Sequence, residues 1–136
     1  MNAEEVKKHI YDTYGVEGDL PWIDDDSTVF RHKENRKWFA LIMFGVERSR
    51  LKTAGEGTAD ALNLKCEPEL ALMIRDGKGI LPAYHMNKEK WITVVLDGTV
   101  PADQVKALID VSYELTVNAK PVKNPKPRAR RKGKNV

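Results

Sequence analysis

Thr28-Val29-Phe30-Arg31-His32, Lys33-Glu34-Asn35-Arg36 and Lys37-Trp38-Phe39-Ala40-Leu41-Ile42-Met43-Phe44 follow one another without a break, and they decide the fold. The first five residues alternate and begin β-branched, as a half-buried strand does. The next four are polar and compose a turn. The last eight are mostly aromatic and aliphatic and return as the partner strand of a hairpin. Such a hairpin needs a second layer to cover its apolar face. Upstream, Asn2 and Glu5 have the spacing of a capping box, which satisfies free amides at a helix start. Val6, Ile10 and Tyr14 then recur at intervals of four, and Gly15 can supply a left-handed cap. A first amphipathic helix is predicted over Ala3 to Tyr14, followed by a loop, Gly18 to Asp26, that holds Pro21-Trp22 and three consecutive aspartates.

Downstream of the hairpin, Gly45 to Gly57 is long, charged and interrupted by glycine, and reads as an excursion from the sheet. Ala61 to Lys65 is a short strand. Pro68 fits the first turn of a helix, where its missing N–H costs nothing. Leu70, Ala71, Met73 and Ile74 give that helix an apolar face, and Gly77 and Gly79 end it. Trp91 to Leu96 is the most β-prone segment, closed by the turn Asp97-Gly98. Pro101 opens a last helix on which Val105, Leu108, Ile109, Ser112 and Tyr113 form one stripe. The order helix, hairpin, strand, helix, strands, helix predicts an α+β fold, a two-layer sandwich in which helices pack a mainly antiparallel sheet.

Charge divides the chain more sharply than hydropathy does. Eight of its 23 lysines and arginines fall in the last eighteen of its 136 residues, Ala119 to Val136, which contain no Asp or Glu. Residues 1–118 keep 15 basic and 20 acidic side chains, a net charge of −5, and the overall +3 describes neither part. Prolines at 121, 125 and 127 alternate with basic residues, a composition that cannot bury enough surface to fold. The expected organisation is one domain over 1–118 and a disordered basic tail over 119–136. A domain of that size buries about two-thirds of its unfolded surface and needs neither metal nor disulfide. The single cysteine, Cys66, has no internal partner. Met1-Asn2-Ala3-Glu4-Glu5 is acidic and lacks an apolar run, so no signal peptide is expected. Phe39 to Phe44 is too short to cross a bilayer. A soluble, reducing, cytoplasmic setting without membrane contact follows.

Pro21-Trp22 with Asp25, Val29-Phe30-Arg31, Lys37-Trp38-Phe39-Ala40-Leu41, Asn63-Leu64-Lys65-Cys66 with Pro68, Tyr84-His85-Met86-Asn87-Lys88 with Trp91, Leu96-Asp97-Gly98 and Ser112-Tyr113 together resemble the MmcQ/YjbR family. The resemblance covers roughly residues 1–118 and excludes the tail. It implies the order helix–three strands–helix–two strands–helix, similar to type III secretion chaperones and described as CyaY-like. Members are commonly labelled DNA-binding, which a shared fold does not by itself transfer. Gly45 to Gly57 is longer than the family's compact forms.

Two segments are candidates for nucleic-acid contact. In the tail, Lys126, Arg128, Arg130, Arg131, Lys132 and Lys134 could neutralise phosphates and release counterions. With all eight tail cations engaged on a duplex, the salt slope would approach roughly −7. Nothing in the tail reads bases, and the contrasting reading is a solubilising basic end. The second segment, Tyr84 to Trp91, offers Tyr84, His85, Asn87 and Lys88, with Lys65 brought close on a neighbouring strand as the resemblance implies. Aromatic faces beside cations suit nucleobase stacking and phosphate contact. Its contrasting reading has Tyr84 and Trp91 as core anchors and the cations as a solvated loop.

No pattern supports catalysis, a metal or a cofactor. Cys66 precedes a helix start, where a thiolate is favoured, yet it lacks a nearby histidine and reads as buried and inert. Asp24-Asp25-Asp26 lacks the alternating ligands and distal Glu of a calcium loop, so one aspartate is expected to organise the turn. His9, His32 and His85 lie far apart without zinc spacing, and His9 is placed on the exposed side of the first helix. The glycines form neither a P-loop nor a dinucleotide fingerprint. The reading is a non-enzymatic binding protein, nucleic-acid-directed, monomeric or weakly dimeric. The alternative is a protein-interaction or chaperone-like module.

Overall fold

The computed structural model describes residues 1–118. The basic segment 119–136, with its predicted contacts, lies outside the described residues. The first helix, α1 (Ala3–Tyr14), forms as its spacing requires. The Asn2 side chain accepts from the Glu5 amide at 2.9 Å while Glu5 accepts from the Asn2 amide at 2.8 Å. Gly15 closes the helix at φ +68°, and Val6 and Ile10 are completely buried.

The hairpin pairs β1 (Thr28–Arg31) with β2 (Trp38–Glu47) through the turn at His32–Lys37. There follow a one-turn helix α2 (Arg48–Leu51), β3 (Thr58–Lys65), α3 (Pro68–Ile74), β4 (Ile80–Pro82), β5 (Trp91–Val95) and α4 (Ala102–Val117). The five strands make one antiparallel sheet in the order β1-β2-β3-β5-β4. The chain passes through α3 to the outer edge at β4 before β5 fills the place beside β3. This is the α+β architecture anticipated from the element order.

Three local expectations are corrected. First, the excursion from the sheet is present but shorter than Gly45 to Gly57: it spans 48–57 and contains α2. β2 runs on to Glu47 and β3 begins at Thr58, with Val46 opposite Ala59 and a register shift after Met43. Gly45 takes φ +62° and donates its amide to Asp60 at 3.0 Å, which lets the ladder absorb the irregularity instead of ending there. Second, α3 does not bury Met73, which is 80% exposed beside Leu72 at 71%; Ala71 is its fully buried residue. The helix ends at Ile74, ahead of Gly77, because the Asp76 carboxylate accepts from the amides of Lys78, Gly79 and Ile80 and turns the chain into β4. Third, the His9 side chain faces α4, with Nε2 3.3 Å from Asp110 Oδ1 and little of it exposed. The same carboxylate accepts the Tyr14 hydroxyl.

Strand alternation divides the core in two. Phe30, Phe39, Ile42, Leu62, Leu64, Ile92 and Val94 face the helices and pack on Val6, Ile10, Leu108 and Ile109. Val29, Leu41, Met43, Ala61, Leu81 and Val95 face the other way. Leu51 of α2 and the half-buried Trp38, Tyr84 and Met86 cover this second face, so it is not open to solvent.

Candidate nucleic-acid interface

The β4–β5 loop is clamped to the second sheet face by three buried polar groups. Thr93 and Asn63 are opposite each other on β5 and β3 and have no exposed surface. The Thr93 hydroxyl donates to Asn63 Oδ1 at 2.5 Å, the Asn63 amide donates to the Tyr84 carbonyl at 2.8 Å, and the Tyr84 amide donates to Thr93 Oγ1 at 2.8 Å. Each polar atom removed from water here has a partner, as burial demands. Tyr84 is thereby a half-buried anchor.

The remaining loop residues divide between exposure and internal work. His85 is exposed at φ +64°, its ring 4.0 Å from that of Tyr84. The Asn87 side chain accepts from the Glu89 amide at 2.8 Å, organising the turn into β5. Lys88 donates its ammonium to the Ala83 carbonyl at 2.8 Å, folding back onto its own loop. Two of the predicted contact residues are therefore engaged in holding the loop.

Lys65 is the residue around which a patch forms. It lies directly opposite Trp91, and its Nζ stands 5.4 Å from that ring's centroid, a cation–π contact. Its ammonium is held below the ordinary lysine range, first by burial, then by the charges of Lys90 and Lys37. The partners of Lys65 are thus Lys37 and Lys90, two residues that sequence reading did not single out. Lys37 precedes Trp38 at the start of β2, the end of the sheet where β3 finishes and β5 begins. Trp22, 41% exposed, meets Trp38 edge-on with centroids 5.9 Å apart. All three tryptophans of the chain therefore border one end of the second sheet face, with three lysines among them. Arg31 is excluded from the patch by its ion pair with Asp19 at 3.1 Å. The turn composition at Lys33–Arg36 hints at where Lys37 emerges, but which lysines converge depends on strand register.

Elsewhere the chemistry is quiet. Cys66 is buried, and burial with the neighbouring Glu67 pushes its thiol up, against the opposing Arg75. The Ser27 side chain, and then its amide donating at 2.8 Å, hold the Asp25 carboxyl below the ordinary range. Among the described residues, no three His, Cys, Asp or Glu side chains converge as metal ligands. No helix there is long and apolar enough to cross a membrane. An open groove of about 430 Å³ between α1 and the α1–β1 loop is walled by Lys7, Tyr11, Leu20 and Phe30, with no histidine, cysteine or serine.

The pattern of the YjbR family matches residues 11–115, which is most of the chain. The chain belongs to the MmcQ/YjbR family. Among its relatives in this family, YyaQ of Bacillus subtilis is 42% identical over 117 residues, spanning 85% of this chain and 98% of that protein. YjbR of Escherichia coli is 44% identical over 62 residues, 45% of this chain and 52% of the other. A crystal structure of a Pseudomonas syringae protein superposes with a TM-score of 0.81 at 40% identity, over 85% of this chain and 99% of that one. A Deinococcus radiodurans protein gives a TM-score of 0.67 at 27% identity, over 87% and 80%. The α+β fold is shared with these structures.

Proposed function

We propose that this MmcQ/YjbR protein is a non-enzymatic nucleic-acid-binding protein that meets phosphates at the rim formed by Lys37, Lys65 and Lys90. The observation that carries the reading is the placement of Lys65 against Trp91, with Lys90 immediately before β5, its carbonyl accepting from the Cys66 amide, and Lys37 immediately before β2, on a body whose net charge is −5. Like charges held together are unfavourable in the free protein, and a polyanion relieves them. The basic segment 119–136 adds sequence-independent attraction, since its cations would release counterions from any phosphate backbone they reach. A single buried thiol that needs no oxidising compartment suits action in the cytoplasm.

Fluorescence anisotropy with a labelled oligonucleotide at low salt tests this. Lys37→Glu combined with Lys90→Glu is expected to weaken binding at least about tenfold, because two attractive contacts become repulsive. Unchanged affinity would overturn the assignment of the rim. A chain ending at Asn118 is expected to lose most of the remaining affinity, and equal binding by the two lengths would remove the tail from the reading.

A second reading, a protein-interaction module, draws on the exposed Leu72 and Met73 of α3. The covered second sheet face leaves no bare sheet for a chaperone-like groove. A sedimentation constant that falls when Met73→Glu is introduced would favour weak self-association through α3.

A further inference from the structure

Three lysines alone would serve any polyanion, but tryptophans are not needed for phosphate contact. We propose that the rim takes single-stranded nucleic acid, with a base stacked on the exposed Trp22, which Trp38 supports edge to face, while Lys37, Lys65 and Lys90 hold the adjoining phosphates. This rests on the preceding reading of the rim as a nucleic-acid site. Trp22 keeps 41% of its surface exposed, although it has the apolar face of Trp38 within reach to bury itself against. The two indoles meet edge to face at 81°, so one face of the pair is taken up by the contact and a base laid on the open face of Trp22 is not in competition with a stacked Trp38. An exposed aromatic face beside cations is what single-strand sites use, because every unpaired base offers a π surface. Bases within a duplex are already stacked and present only their edges.

Charge around the rim argues the same way. Asp24, Asp25 and Asp26 are exposed next to Trp22 and Ile23, and Asp19 neutralises Arg31 nearby. Exposed carboxylates therefore lie beside the lysine rim, where they would repel a second phosphate backbone. Trp91 has a different part, since it is buried beneath the Lys65 ammonium and fixes that cation instead of meeting a base. Stacking on Trp22 confers no base sequence, so binding is tolerant of sequence.

The test compares the full-length chain on an oligothymidylate, on the duplex of the same length and on heparin, a polyanion without bases. The single strand is expected to bind about fivefold or more tightly than the duplex and to quench tryptophan emission, which heparin does not do. Trp22→Ala should lower single-strand affinity roughly tenfold and leave heparin binding unchanged. Trp38→Phe, which keeps an aromatic face in the sheet, should lower it less. If Trp22→Ala leaves single-strand affinity intact, or duplex and single strand bind equally, the stacking proposal is wrong. The lysine rim survives that result provided Lys37→Glu with Lys90→Glu still weakens all three ligands. If the charge reversal alters none of them, the rim reading and the stacking proposal fail together.

Discussion

His32 Nε2 lies 2.7 Å from the Thr116 hydroxyl oxygen, a contact across 84 positions of sequence that joins the hairpin turn to the last turn of α4. Thr116 in turn donates to the Ser112 carbonyl at 2.8 Å, and Asn35 of the same hairpin turn donates to the Thr116 carbonyl at 2.8 Å. Ser112 extends the join into the sheet, donating to the Phe39 carbonyl and accepting from the Lys65 amide at 2.8 Å. The C-terminal half of α4 is thus held to β2, β3 and the hairpin by hydroxyls as well as by apolar packing. Lys65 is positioned partly by this join, which connects the scaffold to the proposed site.

Burial holds the His32 imidazole below its ordinary pKa of 6.5, with the Tyr113 carbonyl acting in the opposite direction. The unfolded chain therefore takes up this proton at a higher pH than the folded one. Stability from His32 is complete above about pH 6.5 and declines as pH falls below it. Urea midpoints measured between pH 8 and pH 5 should fall, and His32→Gln should remove part of that slope. Parallel pH profiles for the two proteins would refute the assignment.

Thr93→Val keeps the shape of β5 but deletes the hydroxyl that serves both Asn63 and the Tyr84 amide. Two buried polar groups lose a partner, so the expected cost is about 2–4 kcal/mol. Urea unfolding measures it. Increased proteolytic nicking between Tyr84 and Lys90 should accompany the loss, since the network fastens that loop.

Gly18 allows the α1–β1 loop to cross β1 closely. A Cβ added there would lie 2.3 Å from Thr28 Cγ2 and 2.9 Å from Phe30 Cε2. Gly18→Ala should destabilise by about 1–3 kcal/mol through overpacking. Adding Thr28→Ser, which removes the obstructing methyl, should recover part of the loss in a double-mutant cycle. Strict additivity would show that the clash is relieved some other way.

Cys66 is 2% exposed and its thiol is pushed up by burial. A chromogenic disulfide reagent at neutral pH should leave the native protein unmodified and react fully after denaturation. Rapid modification of native protein would contradict the burial and reopen an enzymatic reading.

Local chemistry made much of the fold legible. The capping box at Asn2 and Glu5, the four-residue spacing of Val6, Ile10 and Tyr14, and the stripe on α4 depend on neighbours within one or two turns. Met73 was misplaced because a short helix with five apolar residues in succession, Leu70 to Ile74, has no unique apolar face until packing selects one. The β2–β3 excursion begins after Glu47 and not at Gly45, because this glycine, read as an interruption, admits a bulge within the ladder. Ile80-Leu81-Pro82 is too short to show alternation, and only its pairing with β5 makes it a strand.

Residue order by itself determined the α+β class, the hairpin, the capped first helix and the separation of an acidic body from a basic segment. Each follows from periodicity, turn chemistry or charge counts within a continuous stretch. Tertiary structure alone decided that Lys65 is grouped with Lys37 and Lys90 instead of Lys88, and that Trp22 and Trp38 stand beside them. Those residues lie on different strands and loops, and a shift of one position in register would send alternate side chains to the opposite face. Their convergence is a property of cross-strand pairing, which no local pattern encodes.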